Sequence, residues 1–197
     1  MVEPDRLRLG VIIGSTRNDR FCPIPSRWIA EHARQRGDLE VDVIDLLDED
    51  LPVIQNGDDE NTPLPDRVLA LQPRIVEADA FIVVTPVYNR SFPASLKNAI
   101  DWYFEEWSAK AVGFVSYGGI NGGIPAVEHL RQVFNEVNAA TVRNSVSFVN
   151  FWEKFDEDGQ PFDSVGTNAA AKNLLDQLTW WGHALRSARR STSDSGD

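Results

Sequence analysis

The chain of 197 residues is short of several things that would place it in other classes. It has one cysteine, Cys22, so no internal disulfide can form and no Cys-rich metal site can be built. Its three histidines, His32, His129 and His183, lie far apart in separate predicted helices, and none makes a metal-spaced pair. No stretch approaches the run of about 18 apolar residues that a membrane span needs. Residues Met1 to Arg8 are charged and poor in apolar side chains, unlike a signal peptide, and the expected compartment is the cytoplasm. Positive charge is also scarce: the formal net charge is −11, which repels phosphate backbones and argues against a nucleic-acid partner. A phosphate-bearing small molecule must therefore be held by a local arrangement of donors.

What is present is ordinary for a globular domain, with 42% apolar and 25% charged residues. The length suits a single core, and one domain is expected over residues 1–190, followed by a Ser/Asp/Gly-rich tail at 191–197 expected to be disordered. Leu7 to Gly14 reads as a buried strand, Pro23 to Arg36 as a helix and Leu39 to Leu47 as a second strand. Residues 48–65, with Asn56-Gly57 and three prolines, read as a long surface loop. A helix follows from Asp66 to Ala78, which Pro73 is expected to kink or break. Ala80 to Thr85 is the most continuous apolar run, hence a central strand covered on both faces. Pro93 to Trp107 reads as a helix, Lys110 to Ser116 as a strand, Gly122 to Ala139 as a helix and Thr141 to Trp152 as a fifth strand. Asn168 to Arg190 is the last predicted helix. Strict alternation of strand and helix implies an α/β three-layer sandwich, a parallel sheet with helices on both faces. Five strands suit the flavodoxin-like order 2-1-3-4-5, whose ligand crevice lies at the carboxyl ends of strands 1, 3 and 4.

Those strand ends carry the candidate chemistry. The first continues as Gly14-Ser15-Thr16-Arg17-Asn18-Asp19-Arg20, combining a tight turn, two hydroxyls and a forked cation ahead of a helix N-terminus, which suits a phosphate. The plain alternative is a Ser/Thr loop entering a helix. The second, Thr85-Pro86-Val87-Tyr88-Asn89, can offer an aromatic face and amide donors to a planar ring. Its structural alternative is a loop with Tyr88 packed and Asn89 capping a turn. The third, Ser116-Tyr117-Gly118-Gly119, lets backbone approach a ligand closely. No G-x-G-x-x-G follows the first strand and no G-x-x-x-x-G-K-[ST] occurs, which disfavours a dinucleotide Rossmann site and a P-loop and leaves a mononucleotide.

With these motifs the chain resembles the NADPH-dependent FMN reductase family, which includes quinone, azo-dye and chromate reductases. Gly14-Ser15-Thr16-Arg17 resembles the family's phosphate loop. The run from Thr85 to Trp102 resembles its long signature, and Ser116-Tyr117-Gly118-Gly119 its third flavin loop. Many members carry glutamate where this chain has Val87, and Ser and Asn where it has Arg20, Phe21 and Cys22. Arg20 can take over the lost phosphate contacts, whereas Cys22 is read as a packed bystander. The resemblance implies FMN as cofactor and NADPH or NADH as hydride donor. It implies ping-pong transfer through flavin N5 to a small acceptor such as free flavin or a quinone. The implied cofactor-binding residues are Ser15, Thr16, Arg17, Arg20, Pro86, Val87, Tyr88, Asn89, Ser116, Tyr117, Gly118 and Gly119. No catalytic side chain is named, since a flavin carries the chemistry itself. A non-enzymatic flavodoxin-like electron carrier is the alternative of a different class. Leu96, Ile100, Tyr103 and Trp107, widened by Trp102 and Phe104, exceed what one core contact needs. The resemblance implies a homodimer or homotetramer built through this 93–107 region. The alternative is that Trp102 packs under the 48–65 loop.

Overall fold

The computed structural model describes residues 5–55 and 62–194. Part of the charged N-terminal segment, the Asn56-Gly57 portion of the long loop and the end of the tail fall outside them.

Five strands carry the sheet: β1 (Leu7–Ile13), β2 (Leu39–Asp45), β3 (Ala80–Pro86), β4 (Ala111–Gly118) and β5 (Ala140–Val149). All neighbours are parallel and the order is β2-β1-β3-β4-β5, the flavodoxin-like order. Burial follows position. Every residue of β3 and β4 is buried, whereas the edge strand β2 turns Glu40 and Asp42 to water, charges that discourage edge-to-edge pairing.

Helices α1 (Pro23–Arg34) and α6 (Ser164–Asp194) cover one face, and α3 (Asp66–Glu77), α4 (Ala94–Trp102) and α5 (Ile124–Glu136) the other. Trp28, Leu174 and Leu178 fill the first layer; Leu71, Ile100 and Phe134 fill the second. A short helix, α2 (Leu46–Glu49), was not expected from the sequence. Asp45 caps it, its Oδ1 accepting from Leu47 N–H at 3.0 Å.

Three expectations need correction. Pro73 does not break α3. Leu69, whose carbonyl loses its helical partner to the proline, is on an exposed side where water can take the bond. Helix α4 stops at Trp102, not Trp107: Tyr103 is extended, and a 3-10 turn at Glu105–Trp107 follows. The break lets two large rings enter the core by different routes. Tyr103 donates its hydroxyl to Val68 O at 2.9 Å, and Trp107 packs edge-on against Phe81 and Phe134 while its Nε1 donates to Ile100 O. The tail expected to be disordered from Ser191 first extends α6 to Asp194, and residues 195–197 lie outside the described ones.

Lys110, just before β4, is 4% exposed and donates to the carbonyls of Ile75 and Val76, closing the C-terminal turn of α3. Burial, and then the charge of Arg189, lowers its pKa from 10.5 to about 8. Between these values the unfolded chain binds a proton that the folded chain has released, so this group makes the fold more stable as pH rises. Urea unfolding of the protein and of Lys110→Met across this window isolates the effect. The stability difference should move in favour of the unsubstituted protein from pH about 8 to 10.5; a difference that does not change with pH would contradict the assignment.

Candidate functional site

The carboxyl ends of β1, β3 and β4 meet around a cavity of about 780 Å³, within the range of small-molecule and cofactor sites. The expected residues Arg17, Arg20, Pro86, Val87, Tyr88, Tyr117, Gly118 and Gly119 line it, together with Phe21 and Phe151. The remaining four expected residues are placed elsewhere. Ser15 is fully buried, its Oγ 2.6 Å from the Tyr88 hydroxyl. Thr16 faces a neighbouring cavity of about 410 Å³ beside Asp50 and Asn98. Asn89 sits exposed at a turn tip. Ser116 is buried behind the third loop, where its Oγ donates to Gly122 O at 2.8 Å.

The first loop is organised by Arg20. Its Nη2 lies 2.5 Å from Asp45 Oδ2, with both side chains largely shielded, at 12% and 17% exposure. Its Nη1 is buried and has no hydrogen-bond partner among the described residues. A buried cationic donor left open is costly, which makes the Arg20 guanidinium the candidate partner for an anionic group at this wall. Arg17 is placed differently, its guanidinium 5.1 Å from the centre of the Tyr88 ring. Cys22 packs inside the loop: its thiol donates to Val84 O at 3.3 Å, and burial pushes its pKa up, as befits an inert core thiol.

The second loop closes on itself. Tyr88 and Ser91 exchange backbone hydrogen bonds at 2.7 and 3.0 Å around Asn89 and Arg90, both with positive φ (48° and 70°). His129 of α5 meets Ser91 Oγ at 3.1 Å and steadies this turn. The N–H of Val87 donates to Tyr117 O and that of Tyr88 to Ser91 O. Neither amide is free for a ligand, which narrows the expected backbone donors at Tyr88–Asn89 to that of Asn89.

The third loop is shaped by its neighbours. Tyr117 is buried against Phe21 and Phe151, at 5.4 and 5.1 Å between ring centres. Burial, and then the Cys22 thiol, hold its phenol well above the usual tyrosine pKa, so it stays protonated. A Cβ on Gly118 would stand 2.6 Å from Val87 Cγ1 and 3.0 Å from Gly123 N. Gly118 is therefore needed for loop-to-loop contact rather than to make room for a ligand.

Asp45, Phe21 and Phe151 escaped the sequence reading. The Asp45-Leu-Leu-Asp-Glu stretch carries a helix-cap signal, but nothing in it points 25 residues back to Arg20.

The description "NADPH-dependent FMN reductase" matches residues 7–153. The chain belongs to this family. It is 34% identical over 135 residues to an NAD(P)H-dependent FMN reductase of Schizosaccharomyces pombe, covering 62% of this chain and 66% of that one. The chain thus matches just under two thirds of that relative's length. It is 30% identical over 187 residues to a quinone reductase of Escherichia coli K12, covering 92% and 97%. Among solved structures, the flavoenzyme FerB of Paracoccus denitrificans, an NAD(P)H:(acceptor) oxidoreductase, superposes with a TM-score of 0.72 at 27% identity, covering 90% of this chain and 98% of that one. The family places the chain among FMN-dependent oxidoreductases that draw on NAD(P)H. The residues fit that cofactor: the Arg20 guanidinium, with one nitrogen left unpartnered among the described residues, suits its phosphate, and Tyr88 and Pro86 line the same cavity.

The contact between loops yields a direct test. Gly118→Ala should force Val87 aside and weaken both FMN binding and stability by about 1–3 kcal/mol, the usual cost of overpacking. Adding Val87→Ala removes the closest clashing atom and should recover part of the loss in FMN titrations, the 3.0 Å approach to Gly123 N remaining. No recovery at all would mean that the contact with Val87 is not what position 118 protects.

Proposed function

We propose that this protein oxidises NAD(P)H through bound FMN and passes the electrons to a small acceptor, a quinone or free flavin. The reading rests on one observation above the others: a cavity at the carboxyl ends of β1, β3 and β4 lined by Arg20, whose guanidinium is braced by Asp45 and keeps one buried nitrogen without a partner among the described residues. FMN, when bound, supplies the redox chemistry, accepting hydride at N5 and returning electrons to the second substrate. The protein's own residues bind and orient. Arg20, held by Asp45, takes the phosphate. Arg17 supports the phosphate from the loop rim, while the buried Ser15, through its contact with Tyr88, and Thr16, on the side of the neighbouring cavity, shape the loop behind it. Tyr88 and Pro86 border the ring, and the backbone of Asn89, Gly118 and Gly119 provides amide donors to it, with Ser116 and Tyr117 fixing the third loop from behind. No side chain is asked to move a proton in the hydride step.

Donor and acceptor would enter the same cavity in turn, which would give ping-pong kinetics. The quinone reductase of E. coli and the FMN reductase of S. pombe support these two acceptor classes by their names. The cytoplasm, where NAD(P)H is supplied, is the proposed compartment, and no described helix is long and apolar enough to cross a membrane.

A homodimer or homotetramer through the 93–107 region stays in the proposal on a narrower basis than the sequence offered. Leu96, Ile100, Tyr103 and Trp107 are spent inside the core, and Trp102 Nε1 donates to Pro52 O at 2.8 Å, so it packs under the long loop. Phe104, 61% exposed, is what remains to meet a partner.

The deciding experiment is an absorbance spectrum of the protein with FMN, followed by NADPH or NADH without oxygen. Loss of the bound-flavin band is the expected result. Flavin that binds but stays oxidised with both donors would favour an electron carrier instead.

A further inference from the structure

Beside the cavity stands an exposed tryptophan with an unusually firm mounting. After β5 the chain turns through Asn150 in the left-handed region (φ 49°) into a 3-10 turn over Phe151–Glu153. The N–H of Asn150 donates to Gly119 O at 3.1 Å, and that of Glu153 to Asn150 O at 2.9 Å. Phe151 is wedged against Phe21 at 4.6 Å and Tyr117 at 5.1 Å, so the turn rests on an aromatic cluster. From this base Trp152 projects with 60% of its surface in water, edge-on to Phe151. Its Cη2 would lie 3.7 Å from a Cβ on Gly119, a residue of the cavity wall. Ile120, next in the chain, is 89% exposed and adds a second apolar side chain to this rim. An exposed indole on a rigid mount beside a redox cavity can serve as a stacking wall at little cost in ordering.

We propose that Trp152 is the acceptor-selecting residue, an aromatic wall against which a flat, neutral, fused-ring quinone lies while it is reduced. This deepens the proposed function and rests on it. Charge beside the indole favours a neutral ring: Trp152 Nε1 donates to the Glu153 carboxylate at 3.2 Å, which disfavours an anion stacked on it. The overall reaction balances as NAD(P)H + H⁺ + quinone → NAD(P)⁺ + hydroquinone, with the second proton drawn from solvent.

The test uses the FMN-loaded full chain and the variants Trp152→Ala and Trp152→Phe. For 1,4-naphthoquinone, kcat/KM should fall about 5- to 10-fold in Trp152→Ala, the worth of one aromatic stack, and return to within about twofold in Trp152→Phe. Turnover with dissolved oxygen, an acceptor without a ring, should change less than twofold. Equal losses for naphthoquinone and oxygen, or no loss for either, would overturn the proposal. So would a changed sedimentation mass in Trp152→Ala, which would make the indole a subunit contact. Binding of 1,4-dimethoxynaphthalene, a flat ring that accepts no electrons, gives a readout independent of turnover: it should quench tryptophan fluorescence in the protein and not in Trp152→Ala. If NADPH fails to reduce FMN in the unsubstituted protein, the proposed function fails. The naphthalene titration still decides whether Trp152 is a ring-binding wall.

Discussion

The close approach of Gly14 to the carbonyl of Val84 is the constraint on which the site depends. The N–H of Gly14 donates to Val84 O at 2.9 Å, and the Cys22 thiol donates to the same oxygen. A side chain at position 14 would put a Cβ 2.9 Å from that oxygen and 3.3 Å from Leu96 Cδ2. Only glycine lets β1 leave the sheet this near to β3. Ser95 Oγ, at the start of α4, donates to Gly14 O at 2.9 Å and holds the junction from the other side. From this one point the first loop is aimed across the end of β3, and Ser15 reaches Tyr88.

The remaining loops are secured to this junction in series. Val87 N–H joins the second loop to Tyr117 of the third, and Gly118 accepts the Val87 methyl only because it lacks one of its own. Gly122 O receives two hydroxyls, from Ser116 and Ser147, which fixes the far side of the third loop. The site is thus held by short polar contacts among backbone groups, with the aromatic cluster of Phe21, Tyr117 and Phe151 beneath it. Such a frame can keep one buried arginine nitrogen open, because Asp45 satisfies the other and shares its charge.

Much of this was legible in the sequence, for identifiable reasons. The run Ala80 to Thr85 is apolar throughout because β3 is covered on both faces, and strand–helix alternation leaves few ways to arrange five parallel strands. The crevice followed from that order. The break after Trp102 was not legible, because Leu96, Ile100, Tyr103 and Trp107 are spaced as well for a continuous helix as for a helix followed by a tight turn. Ser15 and Ser116 read as ligand donors because a hydroxyl beside a glycine looks alike whether it faces a cavity or the backbone behind it. The Arg20–Asp45 pair joins two strand ends that are neighbours only in the folded sheet. Trp152 read as the end of a strand, and its exposure emerges only once β5 stops at Val149.

The central claim is that Arg20, braced by Asp45, anchors the phosphate of FMN. The most direct measurement compares the affinities of FMN and riboflavin for the protein and for the double variant Arg20→Gln/Asp45→Asn, in which neither charge is left unpaired. The account predicts that the protein prefers FMN by about 10- to 100-fold, the worth of a charge-assisted hydrogen bond, and that the variant loses most of this preference while still binding riboflavin. An undiminished preference for FMN in the variant would place the phosphate elsewhere and contradict it.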